Sequence, residues 1–410
     1  MHRRMTTGAL AVTMAGILAL SACSSKDSDS DSTSGASTSA GASTGLTIAP
    51  LAQIDTEGKT VEAASESDAE SPAGDGKAKC DPTTIAMAGA LTGADAALGI
   101  NIRNGAQLAV DEHNSSNPDC KVTLKTYDTE GDPQKATQVA PQIVNNKDII
   151  GLIGPAFSGE TKATGGIFSQ AGLVSVTASA TNPALTGNGW KTFYRGLAND
   201  DVQGPAVANY LTGTAGKKKI CVIKDDTEYG AGLAKAVIKT LGDASVKSCE
   251  GDVKKGERDF SAIISTITGA KPDAVFYAGY YSEAAPLAEQ LKRADSAITF
   301  VSADGSNDPQ FTSLAGNAAK GAVLTCPCGP APDKFKAAYE SKFKQAPGVY
   351  SVEAYDLATI LMKGIGEGKT TRADLLSYVK DYKGKGLARE YEWSATGELK
   401  SSLIWVYEVK

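Results

Sequence analysis

Histidine is nearly missing from this 410-residue chain, which has only His2 and His113. Serine and cysteine nucleophiles need a base beside them, and His113 stands in the polar run Glu112-His113-Asn114-Ser115. No histidine cluster suggests a metal, so neither a metal nor a cofactor is expected. Gly230-Ala231-Gly232 begins like a dinucleotide loop, but Lys235 stands where the third glycine belongs. These absences count against an enzyme. A basic face is lacking too. Net charge is −6, and it falls to −8 without residues 1–22, which hold Arg3 and Arg4 and no acid. Nucleic acid is therefore set aside as a partner. The apolar stretch at 9–20 has 12 residues, too few to cross a bilayer as a helix.

Apolar residues make up 41% of the chain and charged residues 21%, as in globular proteins. The start is basic, then apolar, then Leu20-Ser21-Ala22-Cys23. This resembles the lipobox of bacterial lipoproteins and implies a signal peptide over 1–22 with lipidation at Cys23. Residues 23–79 are rich in Ser, Thr, Gly, Ala and Asp and read as a flexible tether, within which Leu46 to Ile54 is more apolar and could dock locally. Its r.m.s. reach is roughly 40 Å. Six further cysteines, an even number in an exported chain, point to disulfides. Cys80 and Cys120 each precede an apolar strand and would meet at adjacent strand starts. Cys221 and Cys249 lie in consecutive strands. Cys326 and Cys328 either pair across Pro327 or stay reduced.

The rest of the chain is organised around 149–183. Apolar runs at 149–153 and 173–176 flank an amphipathic helix that opens at Ser158. Parallel strands joined by a helix bring both carboxyl ends to one edge of a sheet, where open α/β sheets bind ligands. Strands at 84–91 and 121–128 and helices at 102–112 and 133–146 complete a first lobe. A second series follows: strands at 219–224, 245–249, 274–278, 298–302 and 322–325, with helices at 201–211, 231–241, 260–268 and 283–294. Helices at 333–343, 352–366 and 372–379 have no strands to cover and return to lobe one. Runs at 391–393 and 403–409 return to lobe two. The expected fold is α/β, with two doubly wound parallel-sheet lobes joined by a three-crossing hinge near Asn199, Gly329 and Gly386. Lobe one takes 80–199 plus 330–386, and lobe two takes 200–329 plus 387–410.

Ser158, Ser179 and Thr181 place hydroxyls beside free backbone N–H groups at two strand ends, a pattern suited to a carboxylate. By itself Ser158 would be a helix N-cap. In lobe two, Tyr229, Tyr280 and Asp304 follow strand ends. A cleft between the lobes suits a zwitterion with an apolar tail.

At these positions the chain resembles the branched-chain amino-acid binding proteins of ABC importers, of the type I periplasmic-binding-protein family. The resemblance runs over about 82–405, through GALTGADAALG, YDTEGDPQKA, GPAFSGETKA, TASATNPAL, RGLANDDVQGPAVANYL, DDTEYGAGLAKAV, GERDFSAIISTI and FYAGYYSEAAPLAEQLK. It implies that Ser158 binds the ligand carboxylate, that Ser179 and Ala180 contribute backbone contacts and that Thr181 contributes its hydroxyl and backbone. Asp200 would be a cleft acid, and Tyr229 and Tyr280 would close the site from lobe two. Asp304, standing where the family often has Glu, would contact the ammonium. Leu98 stands where relatives often carry an aromatic, and with Phe157 and the tyrosines it would form an apolar wall. The implied protein is a monomeric, extracytoplasmic lipoprotein, anchored to the cell membrane through Cys23, that passes an amino acid to a permease. The other reading keeps the fold but binds an amide, an aromatic acid or a polar amino acid, for uptake or for a partner sensor.

Overall fold

The computed structural model describes residues 45–62, 69–400 and 403–410. The expected signal peptide, Cys23 and the start of the tether lie outside them. The described chain opens with two short strands, β1 (Ile48–Ile54) and β2 (Thr60–Val61). The first lobe follows as β3 (Thr83–Gly89), α1 (Ala96–Ser116), β4 (Val122–Asp128), α2 (Pro133–Asn145), β5 (Ile149–Ile153), α3 (Ser158–Gln170), β6 (Val174–Thr177) and β7 (Phe193–Arg195). Its strands form a parallel sheet in the order β4-β3-β5-β6-β7. All five residues of β5 are buried, as a strand covered on both faces requires.

The second lobe contains α4 (Asp200–Asn209), β8 (Ile220–Asp225), α5 (Glu228–Leu241), β9 (Gly251–Val253), α6 (Ser261–Ala270), β10 (Ala274–Ala278), α7 (Tyr281–Ala294), β11 (Thr299–Ser302), α8 (Pro309–Ala315) and β12 (Val323–Cys326). Then come α9 (Asp333–Phe343), α10 (Ser351–Gly366) and α11 (Arg372–Asp381), the ribbon of β13 (Lys383–Lys385) and β14 (Glu390–Glu392), and β15 (Ile404–Val409). The second sheet has eight strands in the order β2-β1-β15-β12-β11-β10-β8-β9. Its β12-to-β9 half is parallel, while β15, β1 and β2 add antiparallel strands at the other edge.

Four expectations are corrected. The tether does not extend to 79. Leu46 to Ile54 is apolar enough to pair as β1 along β15, in register from Ile48–Val409 to Ile54–Ile404. Residues 69–80 also pack on the first lobe: the Glu70 N–H donates to the Lys385 carbonyl (2.7 Å), and Asn117 Nδ2 donates to the Ala73 carbonyl (3.0 Å). Residues 245–249 are not a strand. Val246 is their one aliphatic residue, and 3-10 turns surround a single bridge from Ser245 to Ile220 before β9 begins. The run at 391–393 pairs with β13 instead of entering the second sheet. The third crossing therefore falls later than Gly386. The Arg195 N–H still donates to the Gly397 carbonyl (2.9 Å), and the Trp393 indole donates to the Arg195 carbonyl (2.6 Å).

The six cysteines among the described residues are paired, as Cys80–Cys120, Cys221–Cys249 and Cys326–Cys328. The C-terminal helices pack back on the first lobe, with α10 lying along α1. Gly105 permits this approach, because a β-carbon there would run into the Ser351 carbonyl. Gly105→Ala should therefore destabilise the protein by about 1–3 kcal/mol through overpacking, despite alanine's better helix propensity. Urea denaturation measures this. An unchanged or raised midpoint would contradict the packing described.

Candidate functional site

Strands β5 and β6 run parallel, with Gly151 beside Val174 and Ile153 beside Val176. Their carboxyl ends consequently share one edge. Ser158 begins α3 there, and its Oγ accepts the Asn182 N–H at 3.2 Å. That bond ties the two hydroxyl-bearing turns together. Ser179 turns inward and donates from Oγ to the Ala156 carbonyl. Both backbone groups of Ala180 are engaged internally: its N–H donates to Thr177 Oγ1 (3.0 Å), and its carbonyl accepts from the Arg195 guanidinium. Arg195 is fully buried and paired with Glu398 at 2.9 Å. The Thr181 carbonyl accepts the Asp200 N–H at 3.0 Å, bringing the first residue of α4 beneath this turn.

From the other lobe come Tyr229 in the first turn of α5, Tyr280 just before α7 and Asp304 after β11. Tyr280 stacks against Phe157 of the first lobe, with ring centroids 4.6 Å apart, and against Tyr229 at 5.2 Å. These aromatics close the seam between the lobes. Leu98 is fully buried in the first turn of α1, in the same apolar cluster as Phe157, Tyr229 and Tyr280. Further links cross the seam. Asn101 Nδ2 donates to Asp308 (2.8 Å), the Ala97 N–H to the Tyr281 hydroxyl (3.3 Å) and Asn182 Nδ2 to the Glu228 carbonyl (2.6 Å), while Lys255 pairs with Asp95.

Two residues of the site were not found from sequence. Asp304 Oδ1 accepts from Gln203 Nε2 (2.5 Å) and from the Tyr229 hydroxyl (2.7 Å), and its Oδ2 accepts from the Tyr350 hydroxyl (2.7 Å). Gln203 lies three residues beyond Asp200, on the same face of α4, and that spacing could have flagged it. Tyr350 gave no local signal. It caps α10 in the left-handed region at φ +70°, a conformation costly for a bulky residue and found where surroundings enforce it.

Electrostatically the seam is acidic. Burial raises the Asp200 carboxyl well above its ordinary value, and Asp304 adds repulsion, while the Thr181 hydroxyl and Arg195 pull the other way. Burial also raises Asp304, against its three donors. Apart from that Thr181 hydroxyl, the Asp200 oxygens meet no donor among the described residues, and Gln203 Oε1 is buried without a partner. A buried carboxyl and a buried amide oxygen left short of donors in this way are costly unless a further donor meets them.

The chain belongs to the periplasmic binding protein family, which matches residues 82–410. It is 32% identical over 293 residues to the leucine-, isoleucine-, valine-, threonine- and alanine-binding protein of Pseudomonas aeruginosa, covering 70% of this chain and 78% of that protein. With the leucine-specific-binding protein of Salmonella typhimurium it shares 30% over 346 residues, 81% and 92% of the two chains. Among solved structures, the branched-chain amino acid transporter substrate binding protein LivJ of Streptococcus pneumoniae, in complex with isoleucine, superposes with a TM-score of 0.75 at 23% identity, covering 80% of this chain and 99% of that one. A solute binding protein from R. palustris in complex with benzoate gives 0.72 at 19% identity, covering 80% and 94%. The architecture is therefore the two-lobed type I fold.

Behind the site, Glu160 Oε2 accepts the Phe157 N–H at 2.8 Å, and burial raises its carboxyl to about 7 from an ordinary 4.5. A raised folded-state value means that this group's stabilisation is complete below pH 4.5 and lost as pH climbs through 7. Glu160→Gln removes that loss. Between pH 5 and pH 8 the wild type should lose up to about 3 kcal/mol relative to the variant, measured by denaturant midpoints at each pH. A pH-independent difference would refute the assignment.

Proposed function

We propose that this protein is an extracytoplasmic solute-binding lipoprotein that captures an amino acid, branched-chain or otherwise apolar, between its lobes and delivers it to an ABC import permease. The observation that carries this reading is the set of buried acceptors short of donors on Asp200 and Gln203, with the Thr181 hydroxyl beside Asp200. An α-ammonium supplies a positive charge and three N–H donors to such a group. At the opposite pole, Ser158 and the N-terminal N–H groups of α3 suit the α-carboxylate. Tyr229, Tyr280 and Phe157 provide an apolar wall. Ser179 and Ala180 serve this reading as supports of the turn, because their inward hydrogen bonds fix its shape. Relatives that bind leucine, isoleucine and valine support the ligand class. Benzoate, held by a neighbour in fold, has no cation for the acidic pole, and that disfavours an aromatic acid here.

Lobe motion about the three crossings would let the ligand enter and then be enclosed, and periplasmic binding proteins are a standing example of hinge closure. Lipidation at Cys23 would hold the protein at the membrane, near its permease.

Titration calorimetry against L-leucine, L-isoleucine, L-valine, L-glutamate, benzoate and acetamide tests the ligand class. Branched-chain amino acids should bind near micromolar affinity, about −8 kcal/mol. Ser158→Ala should weaken them by at least about tenfold, the scale of one hydrogen bond to a charged group. Binding of benzoate or acetamide with no response to any amino acid would overturn the proposal. Separately, Cys23→Ser should release the protein from the membrane fraction of cells, and continued membrane association would contradict lipidation there.

A further inference from the structure

We infer that Lys255 is a latch that crosses the seam to Asp95, and that the start of α1 is a two-position switch set by that latch. The inference rests on the reading above that the lobes close over a ligand, but it uses no residue assigned to the ligand's charges. Asp95 is the N-cap residue of α1, and an N-cap aspartate ordinarily accepts the free N–H groups of its own first turn. Here its side chain makes no such bond. It is buried, with Oδ2 on the Lys255 ammonium of the other lobe and Oδ1 without a hydrogen-bond partner among the described residues. The Ala97 N–H, which a capping oxygen would take, donates at 3.3 Å to the Tyr281 hydroxyl, also from the other lobe. With the lobes together, the second lobe does the capping and Asp95 is freed to pair. With the lobes apart, Lys255 and Tyr281 are withdrawn, and Asp95 is left to cap its own helix.

Lys255 is held ready for this contact. Its own N–H donates to Asp226 Oδ1 (2.9 Å), and the next one, of Gly256, donates to Glu283 Oε1 (2.8 Å). Glu283 is fully buried, and its Oε2 accepts from the Ser282 hydroxyl (2.8 Å) and lies 3.6 Å from Lys255 Nζ. Two acids of the second lobe thus steady the loop, and Asp95 joins them only when the lobes meet. The ammonium also lies over the Tyr280 ring, 4.3 Å from its centre, and that ring stacks against Phe157 of the first lobe. A cation on an aromatic face is attracted to it. Lys255 is a positioning residue in this account: it acts through Tyr280 and through closure. Because the pair with Asp95 exists only in the closed form, it slows opening and leaves the first encounter with ligand alone.

Capture and release of radiolabelled L-leucine, followed by rapid mixing and by chase with unlabelled ligand, separate the two steps. Lys255→Met should speed release about tenfold, the scale of one hydrogen bond to a charged group, and leave the capture rate within about twofold. Asp95→Asn should do the same. Asparagine caps a helix as well as aspartate does, so the denaturation midpoint of Asp95→Asn without ligand should match wild type. The double variant should release no faster than either single one, as expected for two halves of one contact. Wild-type release in the single variants, independent effects in the double variant, a loss of affinity that lies in capture, or a lowered midpoint of Asp95→Asn would each overturn the latch. If the protein holds benzoate or acetamide and no amino acid, the proposed function falls, and the same rates measured with that compound still decide the latch, which acts on closure. A wild type that binds none of these compounds would overturn both.

Discussion

Charge buried between the lobes governs this protein. Asp200 and Asp304 lie fully enclosed at the seam; burial raises both carboxyls, and Asp304 raises Asp200 further. Asp304 is compensated by three protein donors. For Asp200 the compensation is the Thr181 hydroxyl and the Arg195 charge, and Gln203 Oε1 has no hydrogen-bond partner among the described residues. A fold that removes such groups from water gains if a cation completes them and loses if none does. On the proposed reading, ligand binding and lobe closure would be one equilibrium, because the same contacts would stabilise both.

The remainder of the structure serves to place those groups. Parallel strands deliver Ser158, Thr181, Tyr229 and Asp304 to facing sheet edges, and the helix starts at Ser158 and Asp200 bring N–H groups and a carboxylate into the same seam. Packing of α10 on α1 carries Tyr350 to Asp304 from the first lobe. The N-terminal segment also belongs to the fold. Ile48–Ile54 covers the free edge of β15, protecting a strand that would otherwise present unpaired backbone. The chain leading towards Cys23 therefore leaves from the second lobe's sheet.

Much of this was legible in the sequence because periodicity is local. The 149–183 unit, α9 at 333–343 and the return of the last helices to the first lobe follow from apolar spacing and turn residues. An even cysteine count and strand-edge positions foretold Cys80–Cys120, and Cys221–Cys249 pairs as expected although Cys249 lies in a 3-10 turn rather than a strand. What escaped depended on distant partners. Ile48–Ile54 looks like part of a Ser-rich tether until β15 offers it an edge. Tyr350 sits in a loop with a backbone conformation that no local pattern announces. Ala180 seemed free to contact a ligand, but Arg195, fifteen residues on, takes its carbonyl. The hydrogen-bond partners of Asp304 could not be read from residue type, because Gln203, Tyr229 and Tyr350 come from three distant stretches.

Small-angle X-ray scattering tests the coupling of charge and closure most directly. If the buried acceptors must be met before the lobes can close, the protein alone will sample wider conformations, and saturating L-leucine will reduce its radius of gyration. Asp200→Asn, which removes one buried charge, will lie closer to the compact value without ligand. A wild type whose radius of gyration is the same with and without L-leucine, at concentrations where calorimetry shows binding, would contradict the account.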